Sequence, residues 1–236
     1  MENELGDRIK RNYEDSYRIY LTRRTPVIIR VDGKAFHTLT SKMKKHLEAP
    51  FFPHFMNSML YATEKTAEEM QGFKLGYVQS DEASFLLTDY DKLETEAWFN
   101  YNLNKIVSVS ASTMTAYFND FWELGMTGLE GKVSVFDARA FNIPKEEIAN
   151  YFLWRCQDWE RNSLSMYCQA FFSHKELMNK GREEQHEMLH SIGKNWATDL
   201  SPREKNGTFI FRDGKTVNDF KADYGIINSW CALEGV

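Results

Sequence analysis

Cysteine is scarce in this chain. There are three, Cys156, Cys168 and Cys231, an odd number at spacings that match no metal-ligand pattern. That argues against a disulfide framework or a thiolate zinc site, and predicts reduced thiols in a cytosolic compartment. Long apolar runs are missing too: no window approaches the roughly 18 apolar residues of a membrane helix. The start MENELGDRIKR is too polar for a secretory signal. A basic excess is also lacking, since 29 Lys and Arg face 34 Asp and Glu for a net charge of −5. A strongly basic nucleic-acid coat is thereby disfavoured, although a local basic patch is not. Neither an internal repeat nor a low-complexity linker divides the chain. The expectation is a soluble, cytoplasmic protein that does not engage a membrane.

What is present is ordinary in bulk and unusual in one respect. Hydrophobic residues make up 42% and charged residues 27%, as in a typical globular domain, but aromatics reach 14%. With 236 residues the chain can bury a large core, as one domain or a domain with an added helical part.

Residues 3–24 read as a helix interleaving Arg8, Lys10, Arg11, Arg18, Arg23 and Arg24 with Tyr13, Tyr17 and Tyr20. This is either a solvated face or a basic edge for a polyanion. A Val/Ile-rich strand at 27–31 suits a central position buried on both faces. Lys42, Lys44 and Lys45 form a basic loop. A helix over 53–71, stopped by Gly72, carries core positions at helical spacing. A hairpin spans 72–87. A long helix is expected from an N-cap at Thr95 to Trp122, a strand at 132–140, and a helix from Pro144 through Arg161 that can run on to Phe172. Beyond it come a capping box at Ser173 and Glu176, a short helix ending at Gly193, and a short strand at 208–211. The order predicts an α+β fold, a sheet with helices packed on one face, with residues 1–140 as one part and 141–236 as a helical and short-strand region packed on it in a single compact unit.

Two acidic strand ends carry the chemistry. Strand formers at Tyr77–Val78 and Ser84–Leu87 flank Gln79, Ser80, Asp81 and Glu82, which makes a hairpin with carboxylates at its tip. The apolar run from Pro26 stops on Asp32 and Gly33. Bare carboxylates cost several kcal/mol to bury, so these must be solvated, paired or metal-bound. Two carboxylates on neighbouring strands make a site for Mg²⁺, with the Gly33 carbonyl as a further oxygen. The turn from Gly33 through Lys34, Ala35, Phe36 and His37 into a helix can present N–H groups to phosphates. Taken alone these signals are weak, because Asp-Gly turns and acidic hairpin tips are common surface features. His186 and His190 stand one turn apart, but without acid or thiol partners they read as surface residues.

The two acidic segments, RVDGKAFHTLT at 30–40 and GYVQSDEASFLL at 76–87, resemble the signature pair of the histidine tRNA guanylyltransferase superfamily. The opening GDRIKRNYE, FDAR at 136–139, WRCQDWERNSL at 154–164 and GKNWATDLSPREKNG at 193–207 fit in the same order, so the resemblance covers nearly the whole chain. It implies a palm like that of polymerases and nucleotide cyclases, with an appended C-terminal helical region, assembled as a homotetramer, a dimer of dimers. The implied reaction is 3′-to-5′ nucleotide addition at the 5′ end of the tRNA acceptor stem, after activation of that end by ATP or GTP.

Carried over by position, Asp32, the Gly33 carbonyl and Asp81 would bind two Mg²⁺ ions, with Glu82 as the neighbouring acidic residue in support. The segment Asp32, Gly33, Lys34, Ala35, Phe36 and His37, with Ser80 and Asp81, would hold the triphosphate, and Lys105 matches a triphosphate-contacting lysine. Phe36 is either a base-stacking ring or part of the core. Where members specific for histidine tRNA read His-Ile-Asn-Asn, this chain has Glu160, Arg161, Asn162 and Ser163. Tyr101 and Asn102 replace common arginines, and Ala138 replaces a glycine. These departures resemble the bacterial and archaeal guanylyltransferase-like branch and favour templated tRNA 5′-end repair over addition of one G to histidine tRNA. Arg161, Asn162, Lys42, Lys44 and Lys45 are the candidate RNA contacts. A cyclase-like palm and a non-catalytic RNA-binding scaffold are the alternatives. The first lacks a GGDEF-like motif, and the second gives no reason to keep Asp32, Asp81 and Glu82 together.

Overall fold

The computed structural model describes residues 4–36, 38–39, 50–123 and 133–232. Helix α1 (Glu4–Ile9) leads through a π turn at Lys10–Glu14 and a 3₁₀ turn at Asp15–Tyr17 to strand β1 (Val27–Gly33). Then come α2 (Pro53–Glu68), β2 (Phe73–Gln79), β3 (Glu82–Leu87), α3 (Leu103–Glu123), β4 (Phe136–Asn142) and α4 (Ile148–Gln169). Four short helices follow: α5 (His174–Leu177), α6 (Arg182–Ser191), α7 (Trp196–Asp199) and α8 (Pro202–Asn206). Strands β5 (Thr208–Phe211) and β6 (Thr216–Val217) and helix α9 (Tyr224–Cys231) end the described chain.

The strands form one antiparallel sheet in the order β4-β1-β3-β2-β5-β6. The near-continuous apolar run of β1 is explained by its central place. Val27, Ile29 and Val31 face Phe55, Met59 and Ala62 of α2 and Met114 and Phe118 of α3. Ile28 faces the other way, with Leu86, Tyr77 and Leu75, toward Phe152 and Cys156 of α4 and Ile227 of α9. Every one of these side chains is essentially inaccessible, a burial that contributes about 1.5–3 kcal/mol for each large aliphatic. Helices therefore cover both faces of the sheet, not one. The single-face expectation fails because residues 148–169 form a helix whose apolar side lies on the second face. Phe51, Trp159, Tyr167, Leu189, Trp196 and Leu200 make a third cluster beyond the far half of α4.

Other boundaries move for local reasons. The expected helix over 3–24 stops early, with no buried side chain to hold it, and the chain extends at Arg18. Leu21 N then donates to Tyr101 O (2.9 Å) and Leu103 N to Ile19 O (2.8 Å). That pairing also displaces the expected start of α3. Phe99, Asn100 and Tyr101 adopt positive φ (50°, 51° and 58°), so 95–102 is not helix, and Asn102, not Thr95, caps α3 by accepting from Lys105 N (3.1 Å). The strand expected at 132–140 runs Phe136–Asn142, and Lys132 lies outside the described residues. The Ser173–Glu176 capping box is present, and a second, at Ser201 and Glu204, starts α8. Residues 208–211 extend the central sheet alongside β2.

Candidate functional site

The polar end of the sheet is where β1 finishes. Asp32 pairs across the ladder with Glu82 on β3 and Asp137 on β4, so three acidic residues stand in one row on one face. Burial first, and then the charge of Asp137, push the Asp32 carboxyl above the ordinary range; Arg139, Arg30 and Arg155 pull it back. Asp81 sits half-buried at the β2–β3 tip, and its carbonyl accepts from Gly33 N (3.0 Å). This bond fastens the end of β1 to the hairpin tip. Ser80, at φ 47°, turns the tip and donates from its hydroxyl to Asp81 Oδ1 (2.9 Å).

Gly33 is required by close approach: a Cβ there would lie 2.3 Å from Phe36 Cδ2. The Phe36 ring folds over it into the core, with ring centroids 4.9 Å from Phe136 and 5.4 Å from Phe118. Ala35, at φ 58°, makes the turn between them. Two of the expected phosphate donors are already committed, since Gly33 N serves Asp81 O and Lys34 N serves Val135 O (2.8 Å). Neither amide is available to a phosphate, which removes both from the expected cradle. The Lys34 side chain is exposed, and His37 lies outside the described residues, as do Lys42, Lys44 and Lys45.

Glu82 is held away from solvent by α4. Arg155 clasps it in a fork, Nε to Oε1 at 2.7 Å and Nη2 to Oε2 at 2.9 Å, and Arg30 Nε lies 3.9 Å from Oε2. Burial raises the Glu82 carboxyl while the two arginines lower it. Asp158 extends the network, accepting from Arg155 (2.9 Å), Arg161 (2.6 Å) and Asn162 (3.5 Å). Sequence spacing hides the Arg155–Glu82 pair, although Arg155 belongs to the WRCQDWERNSL segment. Arg161 and Asn162 are exposed on α4, nearly two turns beyond Arg155.

A cavity of about 400 Å³ opens beside Ser80 and Asp81. Phe36, Phe51, Phe52, Phe55, Met59 and Trp159 supply an apolar wall, with Gln79, Thr208 and Arg203 among the polar lining. Its size and aromatic lining suit a purine nucleoside.

Lys105 is placed elsewhere. It sits on the first turn of α3 with Nζ 5.8 Å from the centre of the Phe99 ring. The same helix reaches the acidic end only at Thr115, whose hydroxyl accepts from Phe136 N (3.1 Å) beside Gly33. Ten residues of helix, about 15 Å, separate the two positions. Within one chain Lys105 is not brought to Asp32 and Asp81.

Among the described residues no group of three or more His, Cys, Asp and Glu side chains is disposed to hold a metal. Asp32, the Gly33 carbonyl and Asp81 offer only oxygen donors at the same end of the sheet. That chemistry fits Mg²⁺, which keeps waters and shares phosphate oxygens, better than zinc. The three cysteines are free and buried, and burial pushes the Cys156 and Cys231 thiols up to about 12. His186 lies 6.0 Å from the Trp196 ring, edge-on, in the third apolar cluster. No described helix is long and apolar enough to cross a membrane.

The acidic end of the sheet thus lies beside an aromatic cavity. Residues 7–144 match the family model described as tRNAHis guanylyltransferase, Thg1, and the chain belongs to that family. A probable tRNA(His) guanylyltransferase of Drosophila melanogaster is 30% identical over 161 residues, which are 67% of this chain and 52% of the relative. The chain spans about half the length of the curated relatives it matches. Among solved structures, a bacterial tRNA(His) guanylyltransferase (Thg1)-like protein in complex with ATP superposes with a TM-score of 0.88 at 39% identity, over 97% of this chain and 100% of that one. A bacterial Thg1-like protein in complex with GTP gives 0.78 at 36% identity over the same shares.

Proposed function

We propose that this chain is a 3′-to-5′ nucleotidyltransferase that repairs tRNA 5′ ends on a template. The observation that carries the reading is the Gly33 N–H bond to the Asp81 carbonyl, which couples the Asp32 strand end to the acidic hairpin tip at the mouth of an aromatic cavity. The likeness to bacterial Thg1-like proteins solved with ATP and with GTP supports nucleotide binding there.

In this reading Asp32, the Gly33 carbonyl and Asp81 hold two Mg²⁺ ions in a palm-like fold. The bound ions would supply charge neutralisation at the triphosphate and activation of the attacking oxygen. Residues 1–140 carry the catalytic centre, and 141–236 pack on it to complete one compact unit. The aromatic wall seats the base of ATP or GTP, Ser80 fixes the Asp81 carboxylate, and Arg155 holds the Glu82 side chain in place behind Asp32. The 5′-phosphate of the tRNA attacks the α-phosphorus and releases pyrophosphate. The 3′-hydroxyl of the incoming nucleoside triphosphate then attacks the activated phosphate and releases AMP or GMP. Arg161 and Asn162, exposed beside this network, are assigned to the acceptor stem, with Lys42, Lys44 and Lys45. Lys105 serves a triphosphate only from a site assembled with another chain of the implied homotetramer.

The test uses tRNA lacking its first 5′ nucleotide, carrying a labelled 5′-phosphate, with ATP, GTP and Mg²⁺, against full-length histidine tRNA as control. Extension only by the nucleotide that pairs with the opposite strand supports repair, and Asp32→Ala or Asp81→Ala should abolish it in folded protein. Addition of G to the intact histidine tRNA alone would replace templated repair with G addition. No product from either RNA would overturn the enzyme reading.

A further inference from the structure

The second half of α3 runs antiparallel to the chain entering β4 and seals its outer edge. Asn119 brackets Ser134 as a neighbouring strand would: Nδ2 donates to Ser134 O (2.7 Å) and Oδ1 accepts from Ser134 N (2.8 Å). Nδ2 also donates to Thr115 O (2.6 Å), which ties the amide to its own helix. One turn earlier, the Thr115 hydroxyl accepts from Phe136 N (3.1 Å). The spacings match, because four residues of helix rise about 6 Å and two residues of strand about 6.6 Å. β4 is an edge strand, and these two side chains cover N–H and C=O groups that such an edge leaves open. An amide is the side chain that offers a donor and an acceptor side by side without charge.

Between the two anchored residues stands Val135, whose carbonyl accepts from Lys34 N (2.8 Å). That N–H shares a planar trans peptide with the Gly33 carbonyl, so the two point in opposite directions. Tethering Lys34 N to the β4 side therefore aims the Gly33 C=O the other way, toward the β3 side of β1, where Gly33 N meets Asp81 O (3.0 Å). We infer that Asn119, seconded by Thr115, is a positioning residue for the metal site. It holds Ser134 to Phe136 so that the Lys34 amide, and through its peptide plane the Gly33 carbonyl, keeps the direction that a bound divalent cation requires. The inference rests on the proposed role of Asp32, the Gly33 carbonyl and Asp81 as Mg²⁺ ligands. Asn119 and Thr115 act through the backbone and touch neither ion nor substrate. Supports of this kind change metal affinity by about tenfold or more while the ligands themselves stay in place.

The probe is Mn²⁺, which takes the same oxygen ligands as Mg²⁺ and is followed by electron paramagnetic resonance, titrated without nucleotide or RNA. Asn119→Leu, of similar size and without hydrogen bonds, should raise the Mn²⁺ dissociation constant roughly tenfold. Thr115→Val should raise it roughly threefold, and Thr115→Ser, which keeps the hydroxyl, should leave it at the parent value. In transfer assays Asn119→Leu should need about ten times more Mg²⁺ for half-maximal rate, with the rate at saturating Mg²⁺ within about threefold of the parent. Ile106→Val supplies the control. It trims a fully buried side chain about two and a half turns before Thr115 on the same helix, so it should lower the melting temperature and leave Mn²⁺ affinity alone. An unchanged Mn²⁺ affinity in folded Asn119→Leu, or an equal weakening by Ile106→Val, overturns the positioning role. Where Asn119→Leu does not fold, the Thr115 pair decides: equal affinities in Thr115→Val and Thr115→Ser overturn it too. A parent whose Mn²⁺ affinity is indifferent to Asp32→Asn overturns the metal reading itself, and the inference with it.

Discussion

The guanidinium of Arg155 meets the carboxylate of Glu82 in a bidentate fork, 2.7 and 2.9 Å, with both side chains almost wholly buried. The residues are 73 positions apart, and the fork joins α4 to the acidic end of the sheet. Burying two charges gains little over an apolar pair of the same size, but breaking such a pair strands a charge. Arg155→Met should therefore cost about 3 kcal/mol or more in urea unfolding. Arg155→Met combined with Glu82→Leu should recover much of that loss. A single variant as stable as the parent would mean that Glu82 is already neutral.

Asp32 gives a prediction with a sign. Its carboxyl titrates higher in the fold than in a free chain, chiefly through burial and then Asp137. The folded state thus holds the proton more tightly, and stability rises as pH falls through the folded pKa toward the ordinary value. At neutral pH the ionised group opposes folding, so Asp32→Asn should raise the melting temperature in chelator, by about 1–2 °C because the site is only half-buried and screened. The gain should vanish below the ordinary aspartate range, where both states are protonated. Added Mg²⁺ should stabilise the parent and not the variant if Asp32 helps to hold the ion. A variant less stable than the parent at neutral pH would contradict the burial argument.

Much of the site's framework is visible in the sequence for local reasons. Val27 to Val31 can be nothing but a doubly covered strand, and Asp-Gly ends it. Strand formers around Gln79 to Glu82 announce the hairpin, and Ser173 with Glu176 announces a helix start. What stays hidden depends on distant partners. Phe99, Asn100 and Tyr101 are not glycines, so nothing local marks their positive φ, which the pairing of residues 19–21 with 101–103 imposes. The Arg155 fork, the covering of the second sheet face and the pairing of Thr208 with Val78 have the same character. Lys105 shows the converse: a residue placed by motif alone comes out about 15 Å along its helix from the end it was expected to serve.

Gly33 gives a steric prediction. Gly33→Ala would set a Cβ 2.3 Å from the Phe36 ring, which is wedged among Phe55, Phe118 and Phe136 and cannot retreat. Overpacking of this kind costs about 1–3 kcal/mol. The variant should also lose transfer activity through displacement of the carbonyl between Asp32 and Lys34. Phe36→Leu in the same chain should restore part of the stability, read by thermal melting. No rescue would place the strain in the backbone and not against the ring.

Ser163 tests whether the segment 160–163 is wholly devoted to RNA. Its hydroxyl donates to Glu204 O at 2.7 Å and accepts from Trp196 Nε1 at 3.0 Å, deep between α4, α7 and α8. One oxygen thereby satisfies two buried groups from the C-terminal helices. Ser163→Ala would leave the indole N–H and the carbonyl unpaired, at a cost of about 1–3 kcal/mol. Arg161→Ala and Asn162→Ala lie on the exposed side and should change stability by less than about 0.5 kcal/mol. If the exposed pair contacts RNA, those two variants should weaken tRNA binding at unchanged melting temperature, with Arg161→Ala also lowering the salt dependence. Ser163→Ala should show the opposite pattern, a lower melting temperature with tRNA affinity intact at a temperature where the variant is folded. Equal loss of RNA affinity in all three folded variants would make the whole segment an RNA contact and assign Ser163 a second role.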